Sequence, residues 1–473
     1  MQITKVSSES IIANSFMLKP NFHLNFGKRR IERAKKQGLE FQSLGNVTDE
    51  VFTGGIFKRI FVDKAEYGLP YISAQHMMNS NPLDVAKIIS RKFTPRQDDM
   101  SLKENQILVS CAGTVGNVKL ITRDLQGVIG SQDIIRVNTD NNKLPYGYLY
   151  AFLASQTAYT YIQSFIYGSV VPRIDPNTLK KLPVPILPEA TQQKIHNLIV
   201  DAAALRVEAN KLLREANIKI LKYCKLSSLK NEDYEYFGNY TYGRSISTFK
   251  INIKEISAIS INAFNYSKRI SNLKDRIKTN SYLNLSDCLI DNNFFSTGSF
   301  KRLEVTSDKH IKLLNQSDIF NSRKIGKNIS RAFVGNVRLV EYGEVLIAGV
   351  GTLGESETFC RVIFGNEEIE DQLISGEFIR MKVNEKIIPS GYLFAWLNSD
   401  YGFRLIRATH SGTKLCRPIP ELLKQIPIPI LENNRMHEID FDVKSAHTKL
   451  FAALNKENQA IELIEKEIDQ WQQ

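Results

Sequence analysis

Two residue patterns in this chain could carry chemistry, and each would suit a phosphate. Gly349-Val-Gly351-Thr-Leu-Gly354 has the G-x-G-x-x-G spacing that lets a turn cradle a pyrophosphate. The loops Thr53-Gly54-Gly-Ile-Phe-Lys58-Arg59 and Thr297-Gly-Ser-Phe-Lys301-Arg302 combine glycines, which let a main chain approach closely, with cations that neutralise phosphates. The first pattern fails on context. The residues after Gly354 are polar and extended, whereas a dinucleotide site needs a helix N-terminus there. The related stretch Cys111-Ala-Gly113-Thr-Val-Gly116 also lacks the first glycine. For the loops, solvated surface charge is the competing explanation.

Other chemistries find no support. No Pro-Pro pair occurs, so the Asp/Asn-Pro-Pro-Tyr/Phe step of an adenine methyltransferase is missing. Gly27-Lys28 and Gly326-Lys327 are not followed by Ser or Thr, which rules out a P-loop. The five cysteines (111, 224, 288, 360 and 416) are far apart and odd in number, as expected for buried thiols in a reducing cytoplasm. His437 and His447 fall on different faces of one predicted helix, so neither catalytic nor metal nor cofactor-binding residues are assigned. No apolar run of about 20 residues exists to span a membrane, and no signal peptide is evident.

Positioning these loops requires domains, and 473 residues allow two to four of them. Self-similarity supplies the division. Leu144–Leu187 (LPYGYLYAFLAS…LKKLPVPIL) repeats without a gap as Ile388–Leu431 (IPSGYLFAWLNS…LKQIPIPIL), at an offset of 244. Gly147 falls on Gly391, Arg173 on Arg417, and Pro183 and Pro185 on Pro427 and Pro429. Upstream, Phe52–Ile60 echoes Phe295–Leu303, and Ile135-Arg136 echoes Ile379-Arg380.

Each copy predicts mixed α and β structure. Gln106–Ser110 and Glu344–Ala348 suit buried strands, each followed by a tight Gly-Thr-x-Gly turn. Leu144–Tyr161 and Ile388–Ile406 suit amphipathic helices, and the Pro-x-Pro steps must be extended. After each copy comes a helical pattern of about 35 residues, ~50 Å long. The first has a heptad seam of Ile195, Leu198, Ala202, Leu205, Ala209, Leu212 and Ala216. The second uses Met436, Ile439, Val443, Ala446 and Leu450, then a stutter to Leu454, Glu457, Ile461, Ile464 and Ile468. The simplest assembly pairs the helices antiparallel, with the globular units at opposite ends. The expected fold class is therefore α+β, with domains at 1–188 and 251–432, helices at 189–225 and 433–473, and a Tyr-rich connector at 226–250.

The run GSVVPRIDPNTLKKLPVPILPEATQQKI (168–195) resembles the end of a target recognition domain in specificity subunits of Type I restriction–modification systems. The order of Gly-rich turn, Leu-rich turn, Pro-hydrophobic-Pro and Gln-containing helix start carries the likeness, and duplication extends it over nearly the whole chain. The resemblance implies a non-catalytic phage-defence subunit that binds double-stranded DNA. Each domain would read half of a split, asymmetric site, and the helices would fix the gap. Two adenine-N6 methyltransferase subunits would dock on the helices, and motor-nuclease subunits are a further partner of some family systems. S-adenosylmethionine, ATP and Mg would belong to those partners. The second copy departs from the pattern, with Lys414-Leu-Cys-Arg417 for Val170-Val-Pro-Arg173 and Asn433-Asn-Arg-Met for Thr191-Gln-Gln-Lys.

On that reading, base contacts belong where the copies differ. This selects Ser73, Gln75 and His76 against Asn315, Gln316 and Asp318, and Arg91 and Lys92 against Arg323 and Lys324. Gln and Asn suit adenine, Arg and Lys guanine. Thr53, Gly54, Lys58, Arg59, Thr297, Lys301 and Arg302 are backbone candidates. Arg173 and Arg417 would hold a phosphate or an internal ion pair, and the basic run Lys28–Lys36 is a helix or arm. Charge is uneven: residues 1–225 carry 30 Lys+Arg and 19 Asp+Glu, the rest 32 and 31. A methyltransferase or nuclease with fused recognition domains, a specificity factor of a methylation-only or other defence system, and a coiled-coil protein without DNA are the alternatives.

Overall fold

In the computed structural model, residues 5–472 are described apart from 7, 14–17, 63–64, 169 and 230–248, so most of the expected connector lies outside the described residues. The chain divides into two compact units, Met1–Val207 with Ala452–Gln473, and Glu208–Phe451.

In the first unit a four-stranded antiparallel sheet runs Thr48–Thr53, Ile134–Thr139, Ile107–Ser110, Val118–Leu120. A second sheet has Gly68–Ile72 at its centre, antiparallel to Lys87–Ser90 and parallel to Ile129–Gly130. The Pro183–Pro185 step is extended and pairs with Phe41–Ser43. The second unit repeats the plan. Val345–Ala348 lies between Val362–Phe364 and Phe378–Met381, and His310–Leu314 between Lys327–Ser330 and Leu373–Ile374. Pro427–Pro429 pairs with Tyr282–Asn284.

The strands at 107 and 345 are apolar throughout because both faces are covered. Alternate side chains enter different cores: Ile107 and Val109 one, Leu108 another; Val345 and Ile347 one, Leu346 and Ala348 another. Registers coincide, with Leu108 opposite Arg136 and Leu346 opposite Arg380. One strand does not survive duplication. The counterpart of Thr48–Thr53 keeps only isolated bridges at Leu289 and Phe295, and between them Asp291 and Asn292 take φ of 57° and 50°.

The two expected amphipathic helices are each broken in two. Tyr146–Leu153 is followed by Gln156–Ser164, and Ser390–Asn398 by Asp400–Arg407. Ser155 and Ser399 cause the break, each turning its hydroxyl to accept from a first-turn amide, that of Ala158 or Gly402. The Gly-Thr-x-Gly turn forms as expected in the first unit, where Gly113 and Gly116 take φ of 75° and 92°. In the second unit the chain instead makes a longer excursion to Val362, with Cys360 at φ 66°.

Two long helices complete the fold, Glu189–Tyr223 and Asn433–Gln470. In the first unit Ile195 and Ile199 share a core with Ala460, Ile464 and Ile468, and Asp201 pairs with Lys456 at 2.9 Å. In the second unit the pairing is antiparallel: Glu208 meets Lys449 at 2.7 Å, Lys219 meets Asp442 at 2.6 Å, and Tyr223 meets Glu438 at 2.8 Å. The seam differs from expectation in detail. Alanines recur every seven residues on both helices, at 202, 209, 216 and at 446, 453, 460, and all are buried. Leu198, Leu205, Leu212, Leu450 and Ile461 are only half-buried at its edge, while Ile439, Val443 and Ile464 are inside. The heptad passes from Leu450 to Ala453 and Glu457 without the stutter, because alanine takes the inner position that Leu454 was expected to fill. An alanine seam lets helix axes come closer than leucine would.

Each unit holds one of the long helices in the same way. The Gly147 amide donates to His196 Nδ1 at 3.1 Å, and the Gly391 amide to Asp440 Oδ1 at 2.8 Å. A Cβ at either glycine would lie within 2.8 Å of its partner, so only glycine permits the approach.

Candidate nucleic-acid interface

The loop after Thr53 sets two cations at the surface of the first unit. Ile56 is 89% exposed at its tip, and Lys58 and Arg59 are exposed beyond it. Arg59 is steered by the Tyr71 hydroxyl, 3.2 Å away. Arg96, which the sequence did not single out, lies against Gly55, where a Cβ would be 3.0 Å from its Nη1. Arg96 has φ 50° and pairs with Asp99. Beneath the loop lies Arg136, completely buried. A Cβ on Gly54 would sit 3.2 Å from Arg136 Nη1 and would overlap Met100 Sδ.

In the second unit the corresponding loop keeps its outer cations. Lys301 lies over the Phe333 ring and Arg302 over Phe300, both exposed. Thr297 is placed differently from a surface contact: it is 3% exposed and faces inward, with its hydroxyl 3.4 Å from Arg380 Nη1.

The base-reader candidates separate. Gln75 is exposed, while Ser73 and His76 bond one another, the His76 amide donating to Ser73 Oγ at 3.3 Å. Burial lowers the His76 pKa and favours the neutral ring. Asn315 and Asp318 form a reciprocal cap on the turn Gln316–Ile319, and Gln316 donates to the Val350 carbonyl at 2.7 Å and accepts from its amide. Those three side chains are committed inside the chain. Lys324 is likewise held by Glu368 at 2.5 Å, and Arg323 is half-buried beside it. Sheet register also corrects one equivalence. Gly68 pairs with Ser90 and His310 with Ser330, so the counterpart of Arg91 is Arg331, not Arg323. Arg91 and Lys92 are exposed, Arg91 reaching the Gly68 carbonyl at 3.5 Å.

Arg173 and Arg417 are exposed beside hairpins whose turns use Gly168 and Gly412 at φ 87° and 91°. Among the described residues neither arginine makes an ion pair. These hairpins bridge to the glycine turns, Arg173 to Ala112 and Cys416 to Gly351. Gln163 props the first turn through the Val115 carbonyl at 2.6 Å, and Arg407, its counterpart at the same offset, props the second through Gly354 at 2.6 Å. After Gly354 come a turn and the strand Val362–Phe364, so a pyrophosphate would meet no helix N-terminus.

The basic run forms the helix Phe26–Lys36, and two of its cations turn inward. Lys28 packs over Phe22, and Arg30 pairs with Glu465 and Asp469 of the last helix. Arg29, Arg33, Lys35 and Lys36 remain outward. Among the described residues no cluster of His, Cys, Asp and Glu could hold a metal, and no helix is long and apolar enough to cross a membrane.

The two units are mixed α/β structures of one plan, each with a glycine–cation loop at its surface. Residues 37–215 match the family model of the Type I restriction modification DNA specificity domain. Among solved structures, the S subunit of a Type I restriction-modification system from M. genitalium is 15% identical, with 92% of this chain and 93% of that one covered at a TM-score of 0.30. The HsdS subunit from Thermoanaerobacter tengcongensis is 12% identical, covering 92% and 96% at a TM-score of 0.26. A chain from work on complex assembly and conformational transition of the type I R-M system is 11% identical, with the same coverage and score. No curated protein matches the chain.

Proposed function

We propose that this chain is the non-catalytic recognition subunit of a multi-subunit DNA methyltransferase, each unit reading one half of an asymmetric bipartite site. The observation that carries the reading is duplication with divergence around a specificity domain. The two units share sheet register and helix clamps, yet differ in the side chains of their outer loops. Two different readers on one chain suit an asymmetric site, whereas two identical ones would read a palindrome. The helix pair sets the gap between half-sites and offers the docking surface for two adenine-N6 methyltransferase subunits. These bring S-adenosylmethionine; a motor-nuclease partner, where the system has one, brings ATP and Mg.

Co-expression with a methyltransferase subunit of such a system tests the proposal. The expected result is N6-methyladenine in a single bipartite motif, absent with the methyltransferase alone. Exchange of residues 25–187 for those of another subunit then alters one half of the motif only. Inserting a few residues between 195 and 216 widens the gap and leaves both half-sites intact. Methylation independent of this chain, or a motif unmoved by the exchange, overturns the reading.

A further inference from the structure

Arg136 and Arg380 occupy one position in the two copies, and their surroundings differ in charge. Both guanidinium groups are fully buried, and both reach equivalent main-chain carbonyls, Met100 at 3.2 Å and Arg338 at 2.5 Å. Arg380 also holds Glu344, which accepts at 2.9 Å from Nε and 2.7 Å from Nη2. Glu344 is the residue before Val345, which pairs with Met381; in the first unit Ile107 pairs with Val137, and the residue before it is Gln106. The carboxylate has become an amide. Among the described residues no carboxylate pairs with Arg136; it is solvated by the carbonyls of Met100, Gly130, Ser131 and Ile134. Arg136 Nε and Gln106 Oε1, at the positions where the second unit forms its ion pair, are both buried without a partner.

A second replacement removes a polar group from beside the charge. Where the second unit sets the Thr297 hydroxyl against Arg380, the first has Gly54, and the space its missing side chain leaves beside Arg136 is taken by Met100. Arg96 flanks the same loop at Gly55, and Lys58 and Arg59 come next along the chain. The acidic groups nearby are Asp99, paired with Arg96, and Asp133, whose charge is felt at Arg59. Desolvation lowers the Arg136 pKa to about 10, which leaves it charged at neutral pH.

We propose that the Gly54-Gly55 turn is a phosphate seat for the DNA backbone, backed by the un-neutralised Arg136, and that the second unit has no such seat because Glu344 occupies the charge. A phosphate on the turn, outside Gly54, supplies the counter-charge that Gln106 does not. The proposal rests on the reading that the first unit binds DNA, and adds to it which residue makes the two halves unequal in salt-sensitive binding.

The full chain with Gln106→Glu, and separately Glu344→Gln, tests this by fluorescence anisotropy on a random-sequence DNA duplex over a range of NaCl concentrations. Gln106→Glu is expected to melt no lower than wild type, since its carboxylate meets Arg136. It is expected to bind on the order of tenfold more weakly, the effect of cancelling one charge within a few ångströms of a phosphate. The slope of log affinity against log salt falls by up to about one. Glu344→Gln frees Arg380 and shifts both quantities the opposite way. A Gln106→Glu protein that binds with wild-type affinity and slope overturns the seat, and so does one that melts lower because its carboxylate finds no partner. If Gln106→Glu does not fold, unchanged binding by Glu344→Gln overturns it instead. A wild-type chain that binds no duplex takes down the DNA-binding reading itself, a result distinct from either.

Discussion

Gln106 and Glu344 stand at the same register of two sheets laid out alike, each diagonal to a fully buried arginine. In the second unit the arginine is closed off by a bidentate carboxylate and a threonine hydroxyl. In the first, main-chain carbonyls alone solvate it, and a glycine lies above. The strand partner shows the same division: Thr48–Thr53 is continuous beside Arg136, while its counterpart beside Arg380 is interrupted at Asp291 and Asn292. Duplication has conserved the packing and let the electrostatics diverge. A copied domain acquires a new surface without a new fold in this way, because buried apolar contacts tolerate little change while a charge can be neutralised by one side chain.

The comparison breaks most visibly if Glu344 is removed without replacement. Glu344→Ala leaves Arg380 as an unpaired buried cation and should destabilise the second unit by about 3–5 kcal/mol. Gln106→Ala loses only a bond to Asn138 and should cost about 1 kcal/mol in the first unit. Hydrogen exchange of the amides in Val345–Ala348 and Ile107–Ser110 assigns each loss to its unit. Equal losses would mean that Arg380 does not depend on its carboxylate.

The legible and the concealed parts of the sequence divide along the same line. The ungapped repeat was legible because each shared residue serves one contact twice: Gly147 and Gly391 against the helix, and the Pro-x-Pro steps against Phe41–Ser43 and Tyr282–Asn284. Buried strands showed as apolar runs for the same reason. The breaks at Ser155 and Ser399 were concealed because apolar periodicity continues across them, and only a hydroxyl accepting a local amide marks the new helix. Asn315 and Asp318 are recognisable as a cap only once their turn is seen. Arg91 was matched to the wrong arginine because insertions hide sheet register. Arg136 and Arg380 were visible as a shared Ile-Arg step, but a pair of strands is needed to see that Gln106 and Glu344 are their differing neighbours.

A smaller effect separates the units by pH. His447 is buried against Phe364 and Phe394, bonded to Asn366 through Nδ1 at 3.0 Å, with Nε2 unpartnered. Desolvation, with the nearby charge of Lys324, lowers its pKa from 6.5 to about 3. The unfolded chain therefore binds a proton that the folded one refuses. The stability involved is fully present above pH 6.5 and is lost as pH falls towards 3, at up to about 1.4 kcal/mol per pH unit. The first unit has Ala203 at this place. Unfolding at pH 7 and 5 should show a loss of about 2 kcal/mol in the second unit that His447→Leu abolishes. A pH dependence unchanged by that substitution assigns the acid sensitivity elsewhere, His410 being the next candidate.

The helix seam should respond alike in both units. Ala202→Leu in the first and Ala216→Leu in the second each force a larger group into a fully buried position, at about 1–3 kcal/mol. A marked inequality, read from urea unfolding, would show that the units hold their helices at different spacings.

The smallest effect is also the strictest test that packing was conserved. The Tyr148 hydroxyl donates to the Pro185 carbonyl at 2.7 Å, and the Tyr392 hydroxyl to the Pro429 carbonyl at 2.9 Å. Both rings are buried, and burial pushes both phenol pKa values up. Each bond ties a helix start to the Pro-x-Pro strand that leads into a long helix. Phenylalanine keeps the ring and removes only the donor, leaving a buried carbonyl one partner short. Tyr148→Phe and Tyr392→Phe should therefore each destabilise by about 1 kcal/mol, and the double variant by the sum, since the sites share no partner. Near-equal single losses would mean that selection has held this tie constant in both units while the charge around Arg136 and Arg380 was free to part. If one tyrosine matters and the other does not, divergence has reached the scaffold as well, and the electrostatic difference can no longer be treated as the one change laid over a common frame.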